Sequence, residues 1–257
     1  MFIDTHAHLY DEQFDQDRDQ MMQNARANGI EKMYLPNCDS STIEAMLATE
    51  AAYPDQCFAM MGVHPTYIKA NYKDELQIAL SWFEQRRFCA VGEIGLDYYW
   101  DKTFVKEQQE AFRTQIKWSL QYHLPIVIHT REATKDTLDI VSDYVDKGVY
   151  GVFHCFSGSL ETARQIIDMG FYLGIGGVLT YPKAGLQEVI KQIDLKHLVL
   201  ETDAPYLTPV PFRGKRNESA YIKIVAEKLA GLHEVSLDMV EEITSKNAEN
   251  LFRDRRL

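Results

Sequence analysis

The sequence predicts an α/β fold, a single (β/α)8 barrel with a metal site at the C-terminal ends of its strands. Three observations carry this. The chain has 257 residues, and one such barrel takes about 250. Eight short apolar runs alternate with stretches of helical periodicity, the pattern of a closed parallel barrel. Histidines and carboxylates fall at the ends of those runs, on the one barrel face where active sites are built.

The runs, in order, are 2–4 (FID), 32–35 (KMYL), 57–63 (CFAMMGV), 88–94 (FCAVGEI), 126–129 (IVIH), 149–154 (VYGVFH), 171–175 (FYLGI) and 198–201 (LVLE). The clearest helix between them spans roughly 103–123, where Phe112, Ile116 and Leu120 form one stripe at four-residue spacing. A last helix is expected near 237–252. An open doubly wound sheet is the competing architecture, and it would carry a glycine-rich fingerprint after its first strand. Here that position reads His6-Ala7-His8, and the glycine cluster, Gly174, Gly176 and Gly177, follows the seventh run. The cluster is expected to let a rim loop turn tightly. No Pro/Gly/Ser-rich linker or low-complexity stretch divides the chain, so residues 1–257 are read as one domain.

Apolar residues make up 46% of the chain, enough for a sizeable core. No run of 18 or more apolar residues exists, so no membrane span is expected. The N-terminus has no basic region leading into an apolar stretch and a small-residue cleavage site, so a secretory signal is not expected. Cys38, Cys57, Cys89 and Cys155 form no CxxC pair and are expected to be buried small hydrophobes in a reducing cytoplasm. A net charge of −11 argues against broad, non-specific adhesion to nucleic acid. It leaves room for a phosphate-bearing substrate held locally by metal ions and a few arginines.

His6 and His8 follow the first run, Glu93 lies near the end of the fourth, His129 and His154 end the fifth and sixth, and Asp203 follows the eighth. On an extended segment residues i and i+2 face the same side, so both imidazoles of the HxH pair can reach one ion. A carboxylate inside an apolar strand is costly unless paired or metal-bound. Taken singly, His129 and His154 read as core histidines and Asp203 as a cap. Six such residues gathered on one barrel end read as a site. Four imidazoles and two carboxylates exceed the ligand set of one tetrahedral ion and suit two divalent ions about 3.5–4 Å apart that share a carboxylate. Glu93 is the expected bridge, with His6, His8 and Asp203 on the first ion and His129 and His154 on the second. Nitrogen-rich ligation suits Zn, Mn, Fe or Co better than Mg, and the choice among Zn, Mn and Mg stays open.

The segments DTHAHL, GVHP, VGEIGLDYY, PIVIHTREA, HCFSGS, LVLETDAPYL and RGKRN cover nearly the whole chain in order. With them the sequence resembles the TatD family of metal-dependent deoxyribonucleases, within the amidohydrolase superfamily. The resemblance implies a (β/α)8 barrel, divalent-metal dependence and hydrolysis of DNA phosphodiester bonds, with 3′ to 5′ exonuclease action on single strands in some members. The family's metal-ligand pattern falls on the same six residues. One departure is visible: the family often continues RGKRNEP, whereas Glu218 is followed here by Ser219, which bears on the shape of that loop.

His64 in GVHP matches the family motif and is a candidate for contact with substrate phosphate or for support of the ligands. Arg131, Arg213, Lys215 and Arg216 are candidate phosphate contacts. Tyr98, Tyr99 and Trp100 read as core aromatics or, at a barrel rim, as a platform for bases. His123 and His197 precede strands and His233 lies in the helical tail, and none is given a catalytic role. The expected chemistry is attack on phosphorus by a metal-activated water, with Asp203 as general base and Glu93 essential. Single-stranded or frayed DNA ends are the expected partner, with no obligate protein partner. Two rival readings are hydrolysis of a small molecule at a C–N, C–O or P–O bond, since this barrel serves many chemistries, and a non-catalytic metal- or nucleic-acid-binding module.

Overall fold

Strands and helices alternate throughout the computed structural model, which describes residues 1–252. Among those residues the order is β1 (Phe2–Asp4), α1 (Arg18–Ala27), β2 (Ile30–Leu35), α2 (Ile43–Ala52), β3 (Cys57–Ala59), α3 (Tyr72–Gln85), β4 (Val91–Asp97), α4 (Val105–Tyr122), β5 (Ile126–Arg131), α5 (Thr134–Val145), β6 (Gly151–Phe153), α6 (Leu160–Asp168), β7 (Tyr172–Ile175), α7 (Leu186–Ile190), β8 (Leu198–Leu200), α8 (Ile222–His233) and α9 (Leu237–Phe252). All strand pairs are parallel, in two runs, β1-β2-β3 and β4-β5-β6-β7-β8. Single parallel bridges join the runs into a ring, Met61 with Val91 at one junction and Ala7 with Ala204 at the other. The Thr5 N–H donates to Leu200 O, the Met61 N–H to Ala90 O and the Gly92 N–H to Met61 O. The sheet therefore closes as the predicted (β/α)8 barrel, with no free edge.

Alternation along each strand sorts the core into two layers. Ile3, Tyr34, Phe58, Met60, Val127, Val152 and Val199 pack together along the barrel axis. Their neighbours Met33, Leu35, Cys57, Ile126, Ile128, Phe153, Leu198 and Leu200 face the surrounding helices. One mouth is closed by α9, whose Leu251 and Phe252 join the axial cluster, with Phe252 stacked on Tyr34 at 3.7 Å. At the other mouth the same two-residue step carries the inward positions from apolar to polar. Two residues beyond Val127, Val152 and Val199 stand His129, His154 and Glu201, and two beyond Glu201 stands Asp203.

Glu93 reaches the interior by a different device. Val91 pairs with Ile126 and Ile94 with Ile128, so β4 carries one residue more than β5 across this step. Such a bulge re-aims a side chain, and here it turns Glu93 inward. Gly92 makes the close passage possible, because a Cβ there would sit 2.8 Å from Cβ of Val127.

The strand boundaries shift from the expected ones by up to four residues, most at β3 and β4. β3 ends at Ala59 rather than at 63, because the chain changes partner there: Met60 still bonds back to Leu35, while Met61 bonds Ala90. β4 begins at Val91 and continues to Asp97, beyond the apolar pattern that Glu93 and Gly95 interrupt. The glycine cluster after β7 also has a different purpose. None of its glycines has positive φ. Gly174 leaves room for the Glu201 carboxylate, 2.3 Å from where a Cβ would lie, and Gly177 for the Leu207 carbonyl at 2.0 Å. Close approach, not a tight turn, requires them. Among the described residues no disulfide joins the four cysteines, and only Cys57 is fully buried. Among the described residues no helix is long and apolar enough to cross a membrane.

Glycine substitutions separate strained from relaxed backbone. Gly95 has φ +141°, and a Cβ on it would lie 2.0 Å from the His129 carbonyl. Gly95→Ala is expected to lower stability by about 1–3 kcal/mol, read as a fall in the urea midpoint. Gly231 lies inside α8 with open space where a methyl group would project, and Gly231→Ala is expected to raise stability by about 0.5–1 kcal/mol.

Candidate metal centre

Glu93 stands at the centre of the polar mouth and is almost wholly buried. Its Oε2 lies 3.1 Å from Nε2 of His6 and 3.7 Å from Nε2 of His8. Its Oε1 lies 2.9 Å from Nε2 of His154, 2.9 Å from Nδ1 of His129 and 3.2 Å from Nε2 of His64. Asp203 completes the first side, with Oδ1 3.6 Å from Nε2 of His8 and 3.7 Å from Nε2 of His6. Ligand atoms converge within 4.8 Å of one another in three overlapping groups: His6, His8 and Asp203; His6, Glu93 and His154; His64, Glu93 and His129. One carboxylate thus offers an oxygen to each side of a two-sided cluster.

All six residues expected as metal ligands meet here, and two details differ from the expected division. His154 stacks on His6 at 3.9 Å and groups with it, between the two sides, rather than pairing with His129 alone. His64, expected as a phosphate contact or a support, aims Nε2 at the same Glu93 oxygen as His129 does. It belongs to the donor set, because the chain beyond Met61 runs along β4 and delivers His64 to the axis.

The residues present suit a divalent cation. His6 is fully buried, yet neither ring nitrogen makes a hydrogen bond. Its Nδ1 has no polar partner, which is costly for a buried group, while Nε2 faces Glu93 at 3.1 Å and Asp203 at 3.7 Å in ion-pair contact without hydrogen-bond geometry. A cation lying between them would satisfy all three groups. Burial alone would push Glu93 up, but His154, His64 and His6 together hold its carboxyl well below the usual range. Burial lowers His6, and His154 beside it adds to that. Burial also opposes the charge on His154, but Glu93 and Glu201 raise it well above the ordinary imidazole value. The carboxylates demand positive charge, which imidazolium or a metal ion can supply.

Four of the imidazoles are backed by a second polar group. Nε2 of His129 lies 2.8 Å from Oδ2 of Asp97. Nδ1 of His154 lies 3.5 Å from Oε1 of Glu201, which also accepts the Cys155 N–H. Nδ1 of His8 meets the Tyr10 hydroxyl at 2.9 Å, and that hydroxyl donates to the Pro36 carbonyl. Nδ1 of His64 meets the Thr66 hydroxyl at 2.7 Å. Metal-bound histidines are typically held this way. Beneath them Asp4 accepts from the Thr202 N–H and hydroxyl, the His6 N–H and the Ser219 hydroxyl. Burial pushes its carboxyl up to about 7 against these bonds. Ser219, the departure from the family pattern, thus ties the loop to the base of the site. Sequence reasoning missed Asp97, Glu201, Tyr10 and Asp4. The signal for three of them was their place in the motifs DTHAHL, GLDYY and LETDAP.

The basic residues divide. Arg131, Arg213 and Lys215 are exposed, lying over the rings of Tyr99, Tyr181 and Phe212 at 3.7, 4.3 and 5.6 Å. Arg216 departs from its expected role as a phosphate contact. Its guanidinium pairs with both oxygens of Asp17 at 2.7 and 2.6 Å and lies over the Phe14 ring. It clasps the loop after β8 to the segment before α1. His123 ends α4 and His197 precedes β8, away from the ligand ends of the strands, as expected.

A closed parallel barrel with a carboxylate-bridged histidine cluster at its strand ends is the architecture of metal-dependent hydrolases. Residues 3–253 match the family model described as TatD related DNase. A metal-dependent hydrolase of Bacillus subtilis (strain 168), YabD, is 41% identical over 258 residues, covering 98% of this chain and 99% of its own. The crystal structure of YjjV, a TatD homolog from Escherichia coli K12, superposes with a TM-score of 0.92 at 30% identity, covering 98% of both chains. A phosphotriesterase homology protein from Escherichia coli shares the fold, with a TM-score of 0.76 at 15% identity and 98% of both chains covered. The chain belongs to the TatD family of metal-dependent hydrolases.

The supports behind the ligands can be tested without turnover. Glu201→Gln and Asp97→Asn are each expected to weaken metal binding roughly 10–100-fold, read by competition with a chromogenic chelator, with the circular dichroism spectrum unchanged. The Arg216 clasp has a pH signature. Arg216 holds the Asp17 carboxyl below its ordinary value, so its contribution is complete above the unfolded aspartate pKa and is lost as pH falls through the folded one. Arg216→Ala is expected to cost at most about 1 kcal/mol at neutral pH, shrinking toward zero below the ordinary aspartate range, by urea melts across pH.

Proposed function

We propose that this metal-dependent hydrolase cleaves DNA phosphodiester bonds, acting from the 3′ ends of single or frayed strands. The observation that carries the reading is the paired geometry at Glu93, which gives one oxygen to each side of the cluster. Two-ion sites with a shared carboxylate are suited to in-line displacement at phosphorus. The family model, described as TatD related DNase, supports a nucleic acid as substrate, and the crystal structure of the phosphotriesterase homology protein carries phosphate in its active site.

His6, His8 and Asp203 would hold one divalent ion and His64, His129 and His154 the other, with Glu93 between them. The ions, when bound, supply Lewis acidity and lower the pKa of water toward neutrality. Asp203 is the candidate general base. Its side chain is 15% exposed where Glu93 is 3%, so it can reach water at the mouth. Burial would raise its carboxyl, but His8, His154 and His6 hold it below the usual range, so it is ionised and able to face a cation. Arg131, Arg213 and Lys215 are the side chains placed to meet phosphoryl oxygens. With three such cations the slope of log K against log salt on a single strand is expected to be shallow, about −2.

Metal-stripped protein reloaded with Zn, Mn or Mg and given end-labelled oligonucleotides tests the reading. Progressive shortening from the 3′ end is expected, fastest on single strands, and Glu93→Gln and Asp203→Asn are each expected to reduce turnover at least about a hundredfold. Hydrolysis of small esters or amides with no cleavage of any oligonucleotide would favour the small-molecule reading.

A further inference from the structure

We infer that Tyr99, Trp100 and Arg131 form a stacking shelf at the barrel mouth that takes an unpaired nucleobase next to the phosphate at the metal centre. The inference rests on reading the centre as a nucleic-acid phosphodiesterase. Among the described residues, four aromatic rings are more than a third exposed: Tyr67 at 42%, Tyr99 at 48%, Tyr206 at 51% and Trp100 at 69%. All four lie on segments leaving the carboxyl ends of strands. Tyr67 stands edge-on to His64 and Tyr206 edge-on to His8, each with centroids 6.1 Å apart. Apolar rings that could have been buried elsewhere are instead displayed around one mouth, the mark of a binding surface.

The shelf is tied to the metal centre through one carboxylate. Asp97 Oδ2 lies 2.8 Å from Nε2 of His129, while Oδ1 accepts the N–H groups of Tyr99 at 2.9 Å and Trp100 at 3.1 Å. The backbone under the two rings therefore has a fixed relation to a ligand of the centre. The rings meet edge-to-face at 5.0 Å. The Arg131 guanidinium lies 3.7 Å from the Tyr99 centroid and 5.3 Å from that of Trp100, two residues beyond His129 on β5. Arg131 covers Tyr99 and leaves Trp100 open to receive a base, with its own charge free for the adjoining phosphate.

Charge explains why rings are used. At a net −11 the chain repels a polyanion at long range, and a few cations give little affinity at physiological salt. Stacking is not screened by salt and is indifferent to base identity, since every base presents a π-face. It also selects unpaired bases, because a base inside a duplex is already stacked on its neighbours.

Fluorescence anisotropy of a labelled short oligothymidylate, measured on an Asp203→Asn background with Mn present, tests the shelf. Trp100→Ala is expected to weaken binding roughly tenfold and to leave the salt slope unchanged. Arg131→Ala is expected to flatten that slope by about 0.7. A strand of the same length with abasic positions is expected to bind as weakly as the intact strand binds the Trp100→Ala protein, and Trp100→Ala should then make no further difference, because the two losses are one interaction. Equal weakening on intact and abasic strands, no weakening, or no binding to the parent protein would overturn the shelf. Stacking-dependent binding with no cleavage by the metal-loaded native protein would remove the hydrolytic reading and keep the shelf. Cleavage that is indifferent to Trp100 and to abasic positions would do the reverse.

Discussion

A carboxylate placed inside a closed apolar barrel must be compensated, and Glu93 is that carboxylate. Its two oxygens are met by imidazoles from segments at opposite parts of the ring. The cost of burying an unpaired ion is so large that every surrounding choice follows from it. Histidines replace aliphatics at the last inward position of β5 and β6. Gly62 and Gly92 keep the backbone slim where β3 and β4 pass, since a Cβ on Gly62 would lie 2.9 Å from Ile94 Cγ2. The rest of the barrel is an ordinary two-layer hydrophobic core that holds these groups in place.

The cluster is built in rings of decreasing burial. Glu93, His6 and His154 lie innermost, with side chains at most 4% exposed, while His64, His129 and Asp203 are 12–17% exposed. The inner groups have little freedom to move and set the geometry. The outer ones face water, where a substrate would arrive. Behind the ligand atoms Asp97, Tyr10 and Thr66 each hydrogen-bond one imidazole ring, and Glu201 stands 3.5 Å from the ring of His154. Preorganisation of this kind lowers the reorganisation needed during reaction.

An acidic chain with a polyanion as its proposed substrate could not rely on long-range attraction. The loops around the mouth offer short-range devices instead: a donor cluster suited to divalent cations, three exposed cations lying over aromatic rings, and four rings turned to solvent. Arg216, which the RGKRN motif would group with the others, is diverted to Asp17 and Phe14. It holds the loop that presents Arg213 and Lys215, and so acts on the mouth indirectly.

By itself the sequence determined the barrel, the order of its strands and six polar residues that meet at its mouth. Each of these is written in local pattern: apolar runs with period two, helical stripes such as Phe112, Ile116 and Leu120, and polar residues placed just where a run ends. The final helix over 237–252 was legible for the same reason. What only the tertiary structure decided depends on which atoms meet across the axis. That His154 sits with His6, that His64 joins His129, and that Asp97 and Glu201 stand behind their imidazoles are facts of side chains from strands far apart in the chain. The glycines after β7 read as a turn because local pattern knows only φ, whereas their cause is the Glu201 carboxylate and the Leu207 carbonyl packed against them. Arg216 read as a phosphate contact because its partner, Asp17, is close only once β1 and β8 have closed the ring.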